Sequence, residues 1–209
     1  MLVTDSTELY ERCFALHDQG HLPLRRGVEI GHRTYLGQNL RMNEISGAVL
    51  NVQLSKLDRI LTTLRSNKAA LRAAIETIPG IGFRRLVDPA GDIATHLVVR
   101  LPDAQIAAAV ASDLGTKTLS NSGWHVYANM EHLRERRVVS KFLQPVADYV
   151  AEPGSLPQTD ALLARSISLG IGVVDPGLGS AFGISIRSGP KDIEQIADRF
   201  RTVVERRVR

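Results

Sequence analysis

The longest helical pattern in the chain covers residues 43 to 78. Asn43 can cap its first turn, and Glu44 follows where a carboxylate faces the positive end of the helix dipole. Apolar residues between 45 and 61 form two offset stripes, and a helix that is apolar on two faces is typical of a segment enclosed by protein. We therefore expect this helix to lie between two layers, and to end at Pro79.

Three further helices are predicted from apolar spacing and from residues that start or stop a helix. They cover residues 6–19, 102–114 and 190–209, and their end signals are Ser6 or Thr7 with Gly20, Pro102 with Gly115, and Pro190. Residues 21–42 show no clear period and hold several glycines, so they are predicted to form an irregular loop. Loops of this length in compact domains are usually functional.

Strand-like runs lie between the predicted helices. They are "MLVTDS" (1–6), "THLVVRL" (95–101), the extended "TKTLSNSGWHVY" (116–127), "RSISLGIGVV" (165–174) and "FGISIRS" (182–188). The mixture of strands and helices predicts an α/β chain whose second half is an α+β domain.

Composition excludes several classes of protein. The only cysteine is Cys13, which rules out an internal disulfide framework and suits a reducing compartment. No run approaches the roughly 20 apolar residues of a membrane span, so a cytoplasmic protein is expected. The net charge is +4, but aromatic residues make up 5% of the chain, too few for a base-stacking surface. The basic run at 199–209 is better explained as a solvated helix end, and nucleic-acid binding is not expected.

Two sequence features, a glycine-rich run and the histidines, do not indicate a phosphate-binding or metal-binding site. Gly177, Gly179 and Gly183 are spaced two and then four, whereas the dinucleotide fingerprint needs two and then three before a helix, so a tight turn between strands is predicted. The six histidines form no paired ligand motif, and with one cysteine they do not indicate a zinc site.

The segment "NSGWHVYANMEH" (121–132) leaves two alternatives open: aromatics packed into a core turn, or a pocket wall with flat apolar faces and donors.

The segment "GQNLRMNEISGAVLNVQLSKLD" (37–58) resembles a signature of the DegT/DnrJ/StrS-type sugar aminotransferases, which are pyridoxal-phosphate enzymes of fold type I. The resemblance continues through residues 1–20, 123–133, 166–186 and 190–200. It implies that residues 1–50 are the end of the large cofactor domain with an inter-domain loop, and that residues 51–209 are the small C-terminal domain. It also implies that the phosphate cup and the lysine that forms the imine lie upstream, so that no residue here is catalytic.

Site residues follow from the same resemblance. Asn39 is similar to the asparagine that reaches the cofactor phosphate of a neighbouring subunit, and Arg41 beside it orients that loop or meets an acidic group. His125, Tyr127, Asn129 and His132 resemble the wall that faces a sugar or cyclitol substrate.

The expected function is therefore the C-terminal part of an aminotransferase that acts on a keto-sugar or cyclitol and is inactive alone. Pyridoxal 5'-phosphate would be bound only with a complementing N-terminal chain or half, and a homo-oligomer is expected. The alternatives are a non-catalytic chain that dimerises with a complete homologue, and a truncated gene product.

Overall fold

The computed structural model describes residues 3–23, 35–122, 126–135, 137, 152–176 and 180–208. The chain divides into two compact units, Met1–Leu57 and Asp58–Arg209. The predicted domains, a cofactor-domain remnant with inter-domain loop at 1–50 and a small domain at 51–209, stay a prediction.

The described residues of the first unit form two helices, α1 (Thr7–His17) and α2 (Glu44–Leu54). The Ser6 hydroxyl accepts the backbone N–H of Leu9 at 3.3 Å, and the Asn43 side chain accepts that of Ser46 at 2.8 Å. Both predicted N-caps are confirmed. Gly20 has φ 84° and returns its N–H to the carbonyl of Ala15, which ends α1 as predicted.

The prediction that α2 is enclosed by protein is wrong for this chain. None of its residues is buried: Ile45 is 79% exposed and Leu54 67% exposed. The two apolar stripes exist, but the other described residues of the first unit do not cover them.

The second unit is built on a three-stranded antiparallel sheet with the order β1 (Gly82–Phe83), β2 (His96–Arg100) and β3 (Ser166–Gly170). His96 lies opposite Gly170 and Arg100 opposite Ser166. Buried and half-buried positions alternate along β2, as expected for a sheet with one covered face, whereas every residue of β3 is buried.

The helices α3 (Leu57–Ile75), α4 (Ala104–Leu114) and α7 (Pro190–Val208) supply the helical side of the core. The described residues of this unit also form α5 (Glu131–Arg134), α6 (Pro157–Ala164) and short 3₁₀ turns at Leu119–Asn121 and Tyr127–Asn129. The fully buried side chains include Leu71 and Ile75 of α3, Val110 of α4 and Phe200 of α7. The predicted helices at 102–114 and 190–209 are confirmed, with Gly115 at φ 72° ending the first.

Three strand predictions are wrong. Residues 3–6 form no strand, and the described parts of 116–127 and 182–188 make only single bridges, Thr118 to Ile167 and Gly183 to Gly170. A strand needs a continuous backbone partner, and periodicity along one segment cannot supply it. The predicted turn at 177–179 lies outside the described residues, and no strand follows it at 182–188. Asp175 and Ser180 pair on either side of it.

Within the described residues, no helix is both long and apolar enough to cross a bilayer.

Candidate functional site

The loop that carries Asn39 is fixed against the end of α1. Gln38 donates its N–H to the Leu16 carbonyl at 2.7 Å, and Leu40 donates to the His17 carbonyl at 2.9 Å. These bonds place Asn39 opposite Asp18 in an antiparallel bridge. A side chain at Gly37 would collide with the backbone of Ala15, so this close approach requires glycine.

Asn39 and Arg41 form one polar cluster with Asp18. The Arg41 Nε donates to the Asn39 Oδ1 at 3.1 Å and lies 3.2 Å from the Asp18 Oδ1. The Asp18 side chain is 7% exposed and that of Arg41 is 47% exposed. The buried carboxylate of Asp18 therefore contacts the Nε of Arg41, while the Arg41 side chain as a whole stays partly accessible to solvent.

The cluster has donors left over for a ligand. Among the described residues, the amide nitrogen of Asn39 and the terminal nitrogens of Arg41 have no hydrogen-bond partner. Amide and guanidinium N–H groups are the donors that proteins use for phosphate oxygens. The sequence singled out Asn39 and Arg41 but missed Asp18, because nothing in the sequence shows that residue 18 returns beside residue 41.

The predicted substrate residues lie in the second unit, on the turn between Val126 and α5. The hydroxyl of Tyr127 donates to the Asp160 Oδ2 at 2.9 Å and accepts the Leu156 N–H at 3.3 Å, so it ties this turn to the start of α6. Asn129 and His132 are exposed on the same short segment. His125 lies outside the described residues.

The lysines of the described chain show no common site. Lys68 forms an ion pair with Asp92 at 2.6 Å, with both side chains largely buried. The other described lysines, Lys56, Lys117 and Lys191, are exposed, and Lys141 lies outside the described residues. No group of three or more histidine, cysteine or acidic residues within the described ranges could hold a metal ion.

Solved structures share this fold over almost the whole chain. A 3-amino-5-hydroxybenzoic acid synthase superposes with a TM-score of 0.62 at 19% identity, over 97% of this chain and 48% of that one. The aminotransferase TlmJ from Streptoalloteichus hindustanus gives 0.61 at 23% identity, over 97% and 46%. Helicobacter pylori PseC, an aminotransferase of pseudoaminic acid biosynthesis, gives 0.56 at 15% identity, over 98% and 48%.

The fold is thus that of part of a fold-type-I aminotransferase, and the chain spans about half the length of the structures it matches. The model of the DegT/DnrJ/EryC1/StrS aminotransferase family matches residues 1–174. The chain belongs to this family, whose aminotransferases in general depend on pyridoxal phosphate.

Proposed function

We propose that residues 1–209 are the C-terminal part of a pyridoxal-phosphate-dependent aminotransferase that acts on a keto-sugar or cyclitol. In this proposal residues 1–50 belong to the large cofactor domain and residues 51–209 to the small domain. The observation that carries it is the polar cluster of Asp18, Asn39 and Arg41, on a chain that belongs to an aminotransferase family.

The cluster suits the phosphate of the cofactor. The Asn39 amide would donate to a phosphate oxygen, while its Oδ1 remains bonded to Arg41. Arg41 would add positive charge, and Asp18 would keep that guanidinium from turning into solvent. When bound, pyridoxal phosphate supplies the electron sink that allows an amino group to be exchanged.

The amine that holds the cofactor is proposed to come from residues outside these 209. Transamination needs a lysine in imine linkage that can also move a proton. Lys68 is occupied by Asp92, and the exposed positions of Lys56, Lys117 and Lys191 give none of them the enclosed setting that such chemistry uses.

The substrate wall is proposed to include Tyr127, Asn129 and His132, with His125. Exposed amide and imidazole groups can hydrogen-bond the hydroxyls of a sugar or cyclitol. The Tyr127 hydroxyl already holds Asp160, so its part would be to fix the turn and to present its ring.

The test compares residues 1–209 alone with the same residues joined to, or mixed with, a polypeptide that supplies the lysine-bearing N-terminal part of an aminotransferase of this family. We expect cofactor absorbance near the edge of the visible range, and transamination, only in the second sample. No gain in that sample would contradict the proposal.

In the active sample, Asn39→Ala should weaken the affinity for pyridoxal phosphate about tenfold, because one hydrogen bond to a charged group is lost. Asn51→Ala is the matched control, since Asn51 is an exposed asparagine on α2. Equal cofactor affinity in the two variants would remove Asn39 from the phosphate site.

The alternative is a non-catalytic chain that pairs with a complete homologue, and the exposed apolar side chains of α2 favour a partner. This alternative predicts co-purification with the intact homologue, and a turnover that Asn39→Ala leaves unchanged.

A further inference from the structure

A second candidate site lies wholly within the second unit, between the first turns of α3 and the segment after β3. It is a cavity of about 370 Å³, within the range of pockets that hold small molecules. Its walls are mainly apolar and include Ile60, Leu64, Val173 and Ile186. A Cβ at Gly172 would lie 3.0 Å from the Leu64 side chain, so glycine at 172 preserves the free space.

Ser180 forms part of the wall of this cavity. The residue is fully buried, and its backbone pairs with that of Asp175. Its Oγ has no hydrogen-bond partner among the described residues and almost no accessible surface, so it does not serve as a donor to a bound molecule.

His96 adds a second polar group to the same wall. Its Nδ1 lies 3.3 Å from the Ser168 hydroxyl, while its Nε2 forms no hydrogen bond to a described residue. Burial lowers the pKa of His96, and the positive charges of Arg84 and Lys68 lower it further. The neutral ring can donate or accept a hydrogen bond.

An adjoining cavity of about 350 Å³ shares Ile60 and Ile186 with the first, and is also lined by Arg59 and Arg187. Neither guanidinium forms an ion pair with a carboxylate of the described residues. A guanidinium fork matches the geometry of a carboxylate. Two exposed cations without an ion-pair partner among the described residues thus lie beside an apolar cavity that His96 also lines.

We infer that this pair of cavities binds a small carboxylic acid with an apolar body. The body would occupy the space between Leu64 and Val173, near His96 and Ser180, and the carboxylate would lie against Arg59 and Arg187. The inference is independent of the proposed aminotransferase function, because every residue that carries it lies in one unit and none belongs to the Asn39 cluster.

The test titrates benzoate into the 209-residue chain and follows the ring signals of His96 by NMR, assigned with His96→Gln. Benzoate should shift these signals in a saturable way. Arg59→Gln and Arg187→Gln should each weaken binding about tenfold, as expected for loss of a charge-assisted hydrogen bond. Lys117→Gln, which removes an exposed positive charge outside both cavities, should leave the affinity unchanged.

Benzyl alcohol and inorganic phosphate test separately the role of the two arginines and the role of the apolar cavity. Both should bind more weakly than benzoate, since the first lacks the charge and the second lacks the apolar body. Equal affinity for benzyl alcohol would overturn the role of the arginines, and equal affinity for phosphate would overturn the role of the cavity. An absence of His96 shifts with benzoate in a chain that circular dichroism shows to be folded would overturn the site itself.

Discussion

At the scale of single residues, His96 couples the stability of the second unit to pH. Burial, together with the cations Arg84 and Lys68, lowers the pKa of its ring below the ordinary 6.5. The folded chain therefore binds this proton less tightly than the unfolded chain does. Acidification through the unfolded value and down to the lower folded value must then cost stability.

We predict that the free energy of unfolding falls as the pH drops below about 6.5, and that His96→Gln removes part of this fall. Urea unfolding between pH 7.5 and 5 measures it. Ser112→Ala, at an exposed position without a titratable group, is the control and should keep the wild-type slope. Parallel pH profiles for the wild type and His96→Gln would show that the ring is not coupled to folding.

The sequence predicted the residues that act on nearby backbone groups, but it did not predict contacts between residues that are distant in the chain. Ser6, Asn43 and Gly115 act on backbone groups within a few positions, so their types alone predicted where helices begin and end. The contact of Asp18 with Arg41 depends on a chain reversal that no local pattern encodes.

At the scale of elements, α4 and α7 are joined by an ion pair at their carboxyl ends. Arg207 contacts both oxygens of Asp113 at 2.8 Å, and Arg206 contacts one at 3.2 Å. The hydrogen bond and charge of Arg207 lower the pKa of Asp113, and Arg206 adds to this effect. The basic run at 199–209 was predicted to be a solvated helix end. Two of its arginines also connect α7 to α4 through these ion pairs.

Asp113→Asn should lower the thermal midpoint slightly at neutral pH, since exposed ion pairs contribute little. Because a lowered carboxyl pKa gives stability that is lost as the pH falls from the unfolded value through the folded one, the difference from wild type should shrink as the solution is acidified below the ordinary carboxyl pKa of 3.8. Differential scanning calorimetry over a series of acidic buffers and at pH 7 measures this, with Asp198→Asn, at an exposed position on α7, as the control. A deficit that does not shrink with acidification would contradict an electrostatic origin.

Helices that begin and end at local capping residues were predicted from the sequence. Strands, which need a paired strand elsewhere in the chain, were predicted less well. The pattern at 182–188 suggested a strand, yet the segment finds only one bridging residue on β3. The helix α6 is absent from the helices predicted from sequence. Pro157 occupies the first turn of α6, where its missing N–H costs nothing.

For the whole molecule, the exposed apolar surface of α2 favours association with another polypeptide. Ile45, Val49, Leu50, Val52 and Leu54 are each more than half exposed. Contiguous apolar surface promotes association. Light scattering of residues 1–209 alone should therefore give a mass above the 22.9 kDa of one chain, and Ile45→Glu should reduce it. A clean monomer before substitution would contradict this prediction.

The aminotransferase family and the general fold class were predictable from sequence because the segment at 37–58 is specific and the matching structures share the fold. The two apolar stripes of α2 were predictable from their spacing, whereas the layer that would cover them is not supplied by the described residues of the first unit. The His96 and Ser180 cavity was not predictable, since its walls come from residues 60, 96 and 180.

We propose that the amine for pyridoxal phosphate lies outside these 209 residues. To test this, the purified chain is incubated with pyridoxal phosphate and reduced with borohydride, and phosphopyridoxyl groups are located by mass spectrometry. We expect no lysine of this chain to carry a stoichiometric label, and a label to appear on a lysine-bearing N-terminal part when one is supplied. One label per chain at a single lysine of residues 1–209, with no other polypeptide present, would rule the proposal out.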